Sequence, residues 1–189
     1  LHRQFGDDRS ALRATPVRVP VLTTARLRLR PFKQADLDDY AALCADAEVM
    51  RYIGAGGPVG RDVAWRHMAL FLGEWALHGY GTWAVERRKD RRLIGRAGFL
   101  HPEGWPGCEL AWTLARDAWG QGFATEAAVA VRDYAFAVLG LAQVISLIRI
   151  GNVASQRVAE KVGMHQVAKF ERFGHHYWRY AVEQSRGQV

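Results

Sequence analysis

Hydrophobic and polar positions first fall into register at Arg26, where Leu27 and Leu29 alternate with Arg28 and Arg30; this predicts a half-buried strand that Pro31 closes. The period then changes. Leu37, Tyr40, Ala41 and Cys44 recur at helical spacing over residues 36–45, with Asp36 placed to cap the start. After a Gly- and Pro-containing loop over residues 54–60, a second helix over 62–78 presents Trp65, Met68, Ala69, Leu72 and Trp75 and stops at Gly79. Three strands follow in quick succession, 81–87, 92–100 and 108–115, joined by a charged turn and by the turn-forming run 102–107. A helix over 122–138, a strongly apolar strand over 143–150 and a short helix over 153–162 ended by Gly163 come next. Two closing strands, 165–173 and 176–182, make a hairpin across Gly174 and His175. An antiparallel meander followed by a strand-helix-strand crossover predicts one α/β domain over residues 21–185, with a mixed, mostly antiparallel central sheet of about seven strands flanked by helices.

Composition narrows the class. At 49% hydrophobic and 24% charged residues the chain is ordinary for a globular protein, and no apolar run approaches the length of a membrane span, so a soluble protein is expected. Cys44 and Cys108 are too few for a disulfide framework and lack the spacing of a zinc site, which fits a reducing cytoplasm. A formal net charge of +7 raises nucleic acid or an acidic ligand as a partner. The arginines are dispersed among strands, turns and the N-terminal stretch, and a continuous basic face is not in view, which speaks against nucleic acid. Residues 1–20, with Arg3, Arg9, Arg13 and Arg18, read as a poorly ordered arm and not as a cleavable signal, since they lack an apolar segment. The charged turn of Arg87, Arg88, Lys89, Asp90, Arg91 and Arg92 admits two readings, a solvated hairpin turn or a phosphate site.

The stretch around Trp119, Gly120, Gln121, Gly122, Phe123, Ala124 and Thr125 carries the first chemical signal, because a strand runs through a glycine-rich turn directly into a helix. The N–H groups of a helix's first turn have no intrahelical partner, and with the helix dipole they favour a phosphate or pyrophosphate. A Gly-x-Gly also serves simply to make a tight corner. There is no Gly-Lys-Ser/Thr for a nucleoside triphosphate loop, and the third glycine of the dinucleotide fingerprint is missing. One strand later, GNVASQRVAEKVGM places Asn152 and Ser155 three apart at a helix entrance, facing the same way. They either meet a cofactor together or serve locally, Asn152 as an N-cap and Ser155 as an early helix serine.

These two segments, with the opening TTARLRLRPFKQADLDDY and the strand-loop-helix GCELAWTLARDAWGQGFATEA, resemble the Gcn5-related N-acetyltransferase (GNAT) superfamily, in particular its ribosomal-protein N-terminal acetyltransferase-like (RimJ/RimL-like) branch. The resemblance spans residues 21–183. It implies an acetyl-CoA-dependent N-acetyltransferase that transfers an acetyl group to a primary amine, a protein N-terminus or a small molecule, by direct attack in a ternary complex. It also implies that the acetyl-CoA pyrophosphate sits on the N–H groups of residues 121–125. The pantetheine arm then runs along the backbone of Trp112, Thr113 and Leu114, held from the other side by Asn152. The loop opens on Trp119 where the superfamily usually has Arg or Gln, an aromatic that this branch often shows. Members of the branch often pair, which extends the option of a homodimer to this chain.

Such chemistry needs a neutral amine, donors for an oxyanion and a proton for the departing thiolate. Glu109, at the head of the cofactor strand, is the candidate base; its other reading is a solvated strand-end glutamate. A main-chain N–H near Leu114 is placed for the oxyanion. Ser155 is the hydroxyl that matches the family at the thiolate, and Tyr177 and Tyr180 are alternates that read equally as pocket wall or core. His175 and His176 are neighbours on a strand and point to opposite faces, so no metal is assigned. Trp65, Trp75 and Trp83 line the acceptor pocket or fill the core. The overall positive charge favours a peptide terminus or a neutral or acidic amine over a polyamine. A non-catalytic acyl-CoA sensor of the same fold is the competing reading, distinguished by turnover.

Overall fold

Alternating apolar side chains and the turns between them build an open sheet, seen here in a computed structural model that describes residues 17–172 and 174–184. The expected N-terminal arm lies, for residues 1–16, outside the described residues. In chain order the elements are β1 (Leu22–Thr23), β2 (Leu27–Arg30), α1 (Leu37–Ala45), α2 (Ala47–Met50), α3 (Arg61–His78), β3 (Thr82–Arg87), β4 (Leu93–Leu100) and β5 (Glu109–Leu114). There follow α4 (Phe123–Ala137), β6 (Gln143–Arg149), α5 (Val153–Lys161), β7 (His165–Arg172) and β8 (His175–Glu183). The strands form one eight-stranded sheet in the order β1-β2-β3-β4-β5-β6-β8-β7, antiparallel throughout except where β5 meets β6. The sequence pattern implies about seven strands. The eighth is the two-residue β1, too short to carry a period, which pairs Leu22 with Leu29.

Helices cover both faces. On β3 the period-two alternation sends Trp83 and Val85 into one core cluster, where α4 contributes Ala127, Ala128, Val131 and Ala135, and sends Ala84 into the other. That second cluster packs Tyr40 and Leu43 of α1 and Met68 and Phe71 of α3 against Phe32 and Leu93. Gly79 ends α3 in the left-handed conformation, φ 73°.

Two expectations need correction. The buried stripe of α3 is Ala64, Met68, Phe71 and Trp75, spaced by four, three and four residues, while Trp65 (50% exposed), Ala69 and Leu72 (39% exposed) face outward. The helix is apolar on more than one side, so periodicity alone did not select the stripe. Asp36 stands at the N-cap of α1 without a side-chain cap bond, because its carboxylate accepts instead from both terminal nitrogens of buried Arg30, at 2.7 and 2.8 Å, and from the Lys33 N–H.

Candidate active site

The sheet parts between β5 and β6. Their only registered pair among the described residues is Glu109 with Ile145, and the Ile145 N–H donates to the Cys108 carbonyl at 3.0 Å. One step further along β6, the Leu147 N–H donates to Oε1 of Glu109 at 3.2 Å, a side chain standing where a ladder partner would be. The Cys108 carbonyl thus points at β6, whereas the Ala115 N–H points at β4, donating to the Ile94 carbonyl at 2.8 Å. Alternation along the strand therefore turns the main-chain groups of Leu110, Trp112 and Leu114 toward the gap. The Leu114 carbonyl is occupied by the Trp119 indole N–H at 2.8 Å.

A cavity of about 210 Å³ opens where the strands diverge. Ala111 and Trp112 of β5 and Ser146, Leu147 and Ile148 of β6 line it, with Tyr52, Ile53 and Gly54 from the loop after α2. Asn152 and Ser155 reach it together from the start of α5, as their spacing predicts; the Asn152 side chain also caps that helix, accepting from the Ser155 N–H at 3.2 Å.

Glu109 lines the same cavity and is 6% exposed, so it is not a solvated strand-end residue. Its Oε2 accepts from the Trp105 indole N–H at 2.7 Å. Burial pushes its carboxyl up to about 7, against the opposing pull of the Trp105 and Leu147 N–H groups and of the Arg96 guanidinium. Burial also pushes the neighbouring Cys108 thiol up to about 12. Tyr177 lines the cavity, its hydroxyl raised by burial, while Tyr180 lies in the core. Trp75 and Trp83 are core as well, edge to face with centroids 4.7 Å apart.

The glycine-rich turn follows the C-terminal end of β5 and leads into α4. Gly120 and Gly122 adopt φ of 72° and 79°, a left-handed backbone that glycine takes without strain, and α4 begins at Phe123. The N–H groups of residues 121–125 have no hydrogen-bond partner among the described residues. From behind, Arg26 pins the turn: its guanidinium donates to the Gln121 carbonyl at 2.9 Å and to Glu126 at 2.7 Å and lies 4.5 Å over the Phe123 ring. Arg87, Arg88 and Lys89 of the β3–β4 turn border a second cleft with Arg26, Gln121 and Phe123. Arg87 is hydrogen-bonded to Asp90, and Arg88 to the carbonyls of Thr24 and Ala25. Thr113 and Leu114 are buried in β5; the Leu114 main chain turns toward the gap, whereas that of Thr113, in register with Arg96, turns toward β4, so the expected Thr113 backbone contact is not presented to the gap.

Several residues that shape the cavity carried no signal in the sequence. Arg96, Arg149, Arg172, Trp105, Tyr52 and Phe170 come from five different segments and meet only through the topology. The one legible hint was Arg96, the lone charge within the apolar strand LIGRAGFL. His175 and His176 find different partners, Arg149 and Glu171.

The acetyltransferase (GNAT) domain model matches residues 26–165. The protein YkkB of Bacillus subtilis is 33% identical over 149 residues, covering 76% of this chain and 84% of YkkB. Among solved structures, an acetyltransferase from Agrobacterium tumefaciens superposes with a TM-score of 0.79 at 32% identity, covering 88% of this chain and 96% of its own. RimL, a ribosomal L7/L12 alpha-N-protein acetyltransferase in complex with coenzyme A, shares the fold with a TM-score of 0.73 at 15% identity, covering 87% and 98%.

Proposed function

The chain belongs to the GNAT acetyltransferase family and is an acetyl-CoA-dependent acetyltransferase; from that premise we propose that it is of the RimJ/RimL-like branch and acetylates a primary amine by direct transfer, with Glu109 as base and Ser155 as proton donor to the thiolate. One observation carries the reading. Where β5 and β6 part, a buried carboxyl held near neutrality shares a cavity with Ser155 and Asn152.

Acetyl-CoA fits the residues present. Five consecutive N–H groups without partners at the start of α4 suit a pyrophosphate. The unpaired main-chain groups of Trp112 and the Leu114 N–H suit an amide-rich arm laid in like an added strand. As substrate, acetyl-CoA supplies the activated acyl carbon. Glu109, ionised, takes a proton from the acceptor ammonium directly or through water, and typical general-base catalysis contributes about 10²- to 10⁴-fold. A β5 N–H facing the gap, at Trp112 or Leu114, receives the oxyanion. The amine nitrogen bonds to the acyl carbon and the carbon–sulfur bond breaks; the Ser155 hydroxyl protonates the sulfur and is restored by the second proton that the nitrogen loses, directly or through water, in becoming an amide. The Cys108 thiol, held far from ionisation, is a poor nucleophile at neutral pH, which supports direct transfer over an acyl-cysteine route. A carboxyl tuned toward neutrality favours turnover over a silent sensor.

Calorimetric titration with acetyl-CoA, free CoA and ATP tests the donor site. Both CoA species are expected to bind and ATP to bind far more weakly; failure of both CoA species to bind would remove the loop assignment and the mechanism built on it.

A further inference from the structure

Glu74 is a buried titratable group that the transfer chemistry does not use. It is 4% exposed on α3, and its Oε2 has no hydrogen-bond partner among the described residues. Its Oε1 accepts from the His101 N–H at 3.2 Å. His101 directly follows Leu100, which stands opposite Glu109 in the β4–β5 register. Leu100 packs into the cluster that α3 covers, so Glu109 projects to the same face of the sheet and the His101 bond brings the Glu74 carboxyl beside it. Cys108 registers both groups: burial raises its thiol, and the Glu74 and Glu109 carboxylates raise it further. One cation reaches the two carboxyls. The Arg96 guanidinium lies 5.3 Å over the Phe71 ring, one turn before Glu74 on α3, and lines the cavity with Glu109.

Two neighbouring carboxyls oppose each other's ionisation. Burial disfavours the charged form of both; the His101 N–H, His78 and Arg96 favour it at Glu74, and the Glu74 charge in turn disfavours it at Glu109. The other groups facing Glu109 are Arg149 from β6, Arg172 from β7 and Tyr177 from β8, across the cavity. Tyr80, before β3, faces Glu74, and Arg96 itself faces Tyr40 and Cys44 of α1 and His67 of α3. Resting on the reading of Glu109 as base, we propose that Glu74 is a positioning residue for it: its carboxylate strengthens Glu109 as a proton acceptor, and Arg96, the cation that both carboxyls share, limits that gain. Amine attack needs a base that is ionised and still strong at the working pH, and the opposed charges on either side of Glu109 set that balance.

The test needs no acceptor. The full chain, carrying glutamate labelled with carbon-13 at the side-chain carboxyl, is titrated by NMR, and the Glu109 and Glu74 resonances are identified by their loss in Glu109→Gln and Glu74→Gln. In the wild type Glu109 is expected to titrate near 7, and the Glu74 resonance to inflect at that same pH, since coupled carboxyls each report the other's step. In Glu74→Gln the Glu109 midpoint should fall by about half a pH unit or more, and in Arg96→Gln it should rise by a similar amount. Glu74→Asp, which keeps the charge, should return the midpoint toward the wild-type value. Lost packing alone would not move the first two variants in opposite directions. A Glu109 midpoint that stays put or rises in folded Glu74→Gln would overturn the proposal, and so would a wild type in which no second glutamate resonance responds at the Glu109 midpoint; that second readout stands whether or not a Glu74 variant folds. Failure of the reading beneath it looks different: the carboxyls would titrate together as expected while the wild-type rate showed no dependence on that step.

Discussion

Two buried arginines on the same sheet show opposite solutions to the same problem. Arg30, on β2, is held by Asp36 through both terminal nitrogens and by Glu86 through Nε at 2.6 Å, with all three residues buried. Arg96, two strands away on β4, keeps one nitrogen without a partner, and the nearby Glu109 accepts only neutral N–H donors. The first set is closed: its charges meet each other, and it ties the loop before α1 to the sheet. The second is open at a cavity, and its groups remain available to something that is not part of the chain. Buried polarity that satisfies itself reads as frame, and buried polarity left unsatisfied beside a cavity reads as function.

The sharpest way to break this comparison is Glu109→Gln. The amide keeps an oxygen acceptor but cannot take a proton, so kcat is expected to fall by about 10²- to 10⁴-fold with acetyl-CoA affinity little changed. The wild-type rate should rise with pH, reach half its plateau near 7, where the carboxyl titrates, and level off above. The sign for stability is opposite. A carboxyl whose folded value is raised above its unfolded one contributes most below about 4.3, the ordinary glutamate value, and that contribution is lost as pH rises through 7. Melting temperatures of Glu109→Gln should lack that slope. A rate profile flat between pH 6 and 8 in the wild type would rule out Glu109 as base.

A second pair of variants tests the closed site against the open one directly. Arg30→Met leaves buried Asp36 without a cationic partner and buried Glu86 with only the outlying Arg28 at 3.8 Å, and urea unfolding should show a loss of about 3–5 kcal/mol. Arg96→Met removes a charge that no ion pair holds, and the same measurement should move by no more than about 1 kcal/mol. Similar losses at the two positions would mean that Arg96 is frame after all.

What the sequence showed of this site follows the same division. Local signals were legible: the alternation around Leu27 and Leu29, the left-handed glycines before α4, and Asn152 with Ser155 on one side of α5. So was Glu109 as a residue type at the end of a strand. Its burial was not, because that depends on Trp105 folding back from the β4–β5 loop and on β6 lying alongside, in register at Glu109 and Ile145. The grouping of the cavity arginines was illegible for the same reason: Arg96 stands out as a lone charge in an apolar strand, but residues 96, 149 and 172 share no spacing and meet only in three dimensions. Trp75 and Trp83 went to the core because α3 and β3 bring them edge to face, a contact between elements that no period within either element records.

The turn before α4 is the smallest test and extends the comparison from side chains to backbone. Its N–H groups are unsatisfied in the same sense as Arg96, but they belong to a loop that any residue able to take a left-handed backbone would form. A Cβ added at Gly122 meets only the Arg26 guanidinium, at 3.5 Å, so the position has room for a side chain. Asn and Asp tolerate the left-handed conformation better than other non-glycine residues and are nearly equal in size. The difference between Gly122→Asn and Gly122→Asp therefore isolates charge from strain. Calorimetry with acetyl-CoA should find the Asn variant within about threefold of the wild type and the Asp variant weaker than Asn by about tenfold or more, since a carboxylate at the helix start repels a pyrophosphate and offsets the dipole that favours it. Arg26 would neutralise part of the new charge, which makes the expected effect moderate and its salt dependence informative: the gap should narrow in high salt. Equal affinities for the two variants would mean that the anion is bound elsewhere, and the basic cleft formed by Arg26, Arg87, Arg88 and Lys89 would be the next place to look.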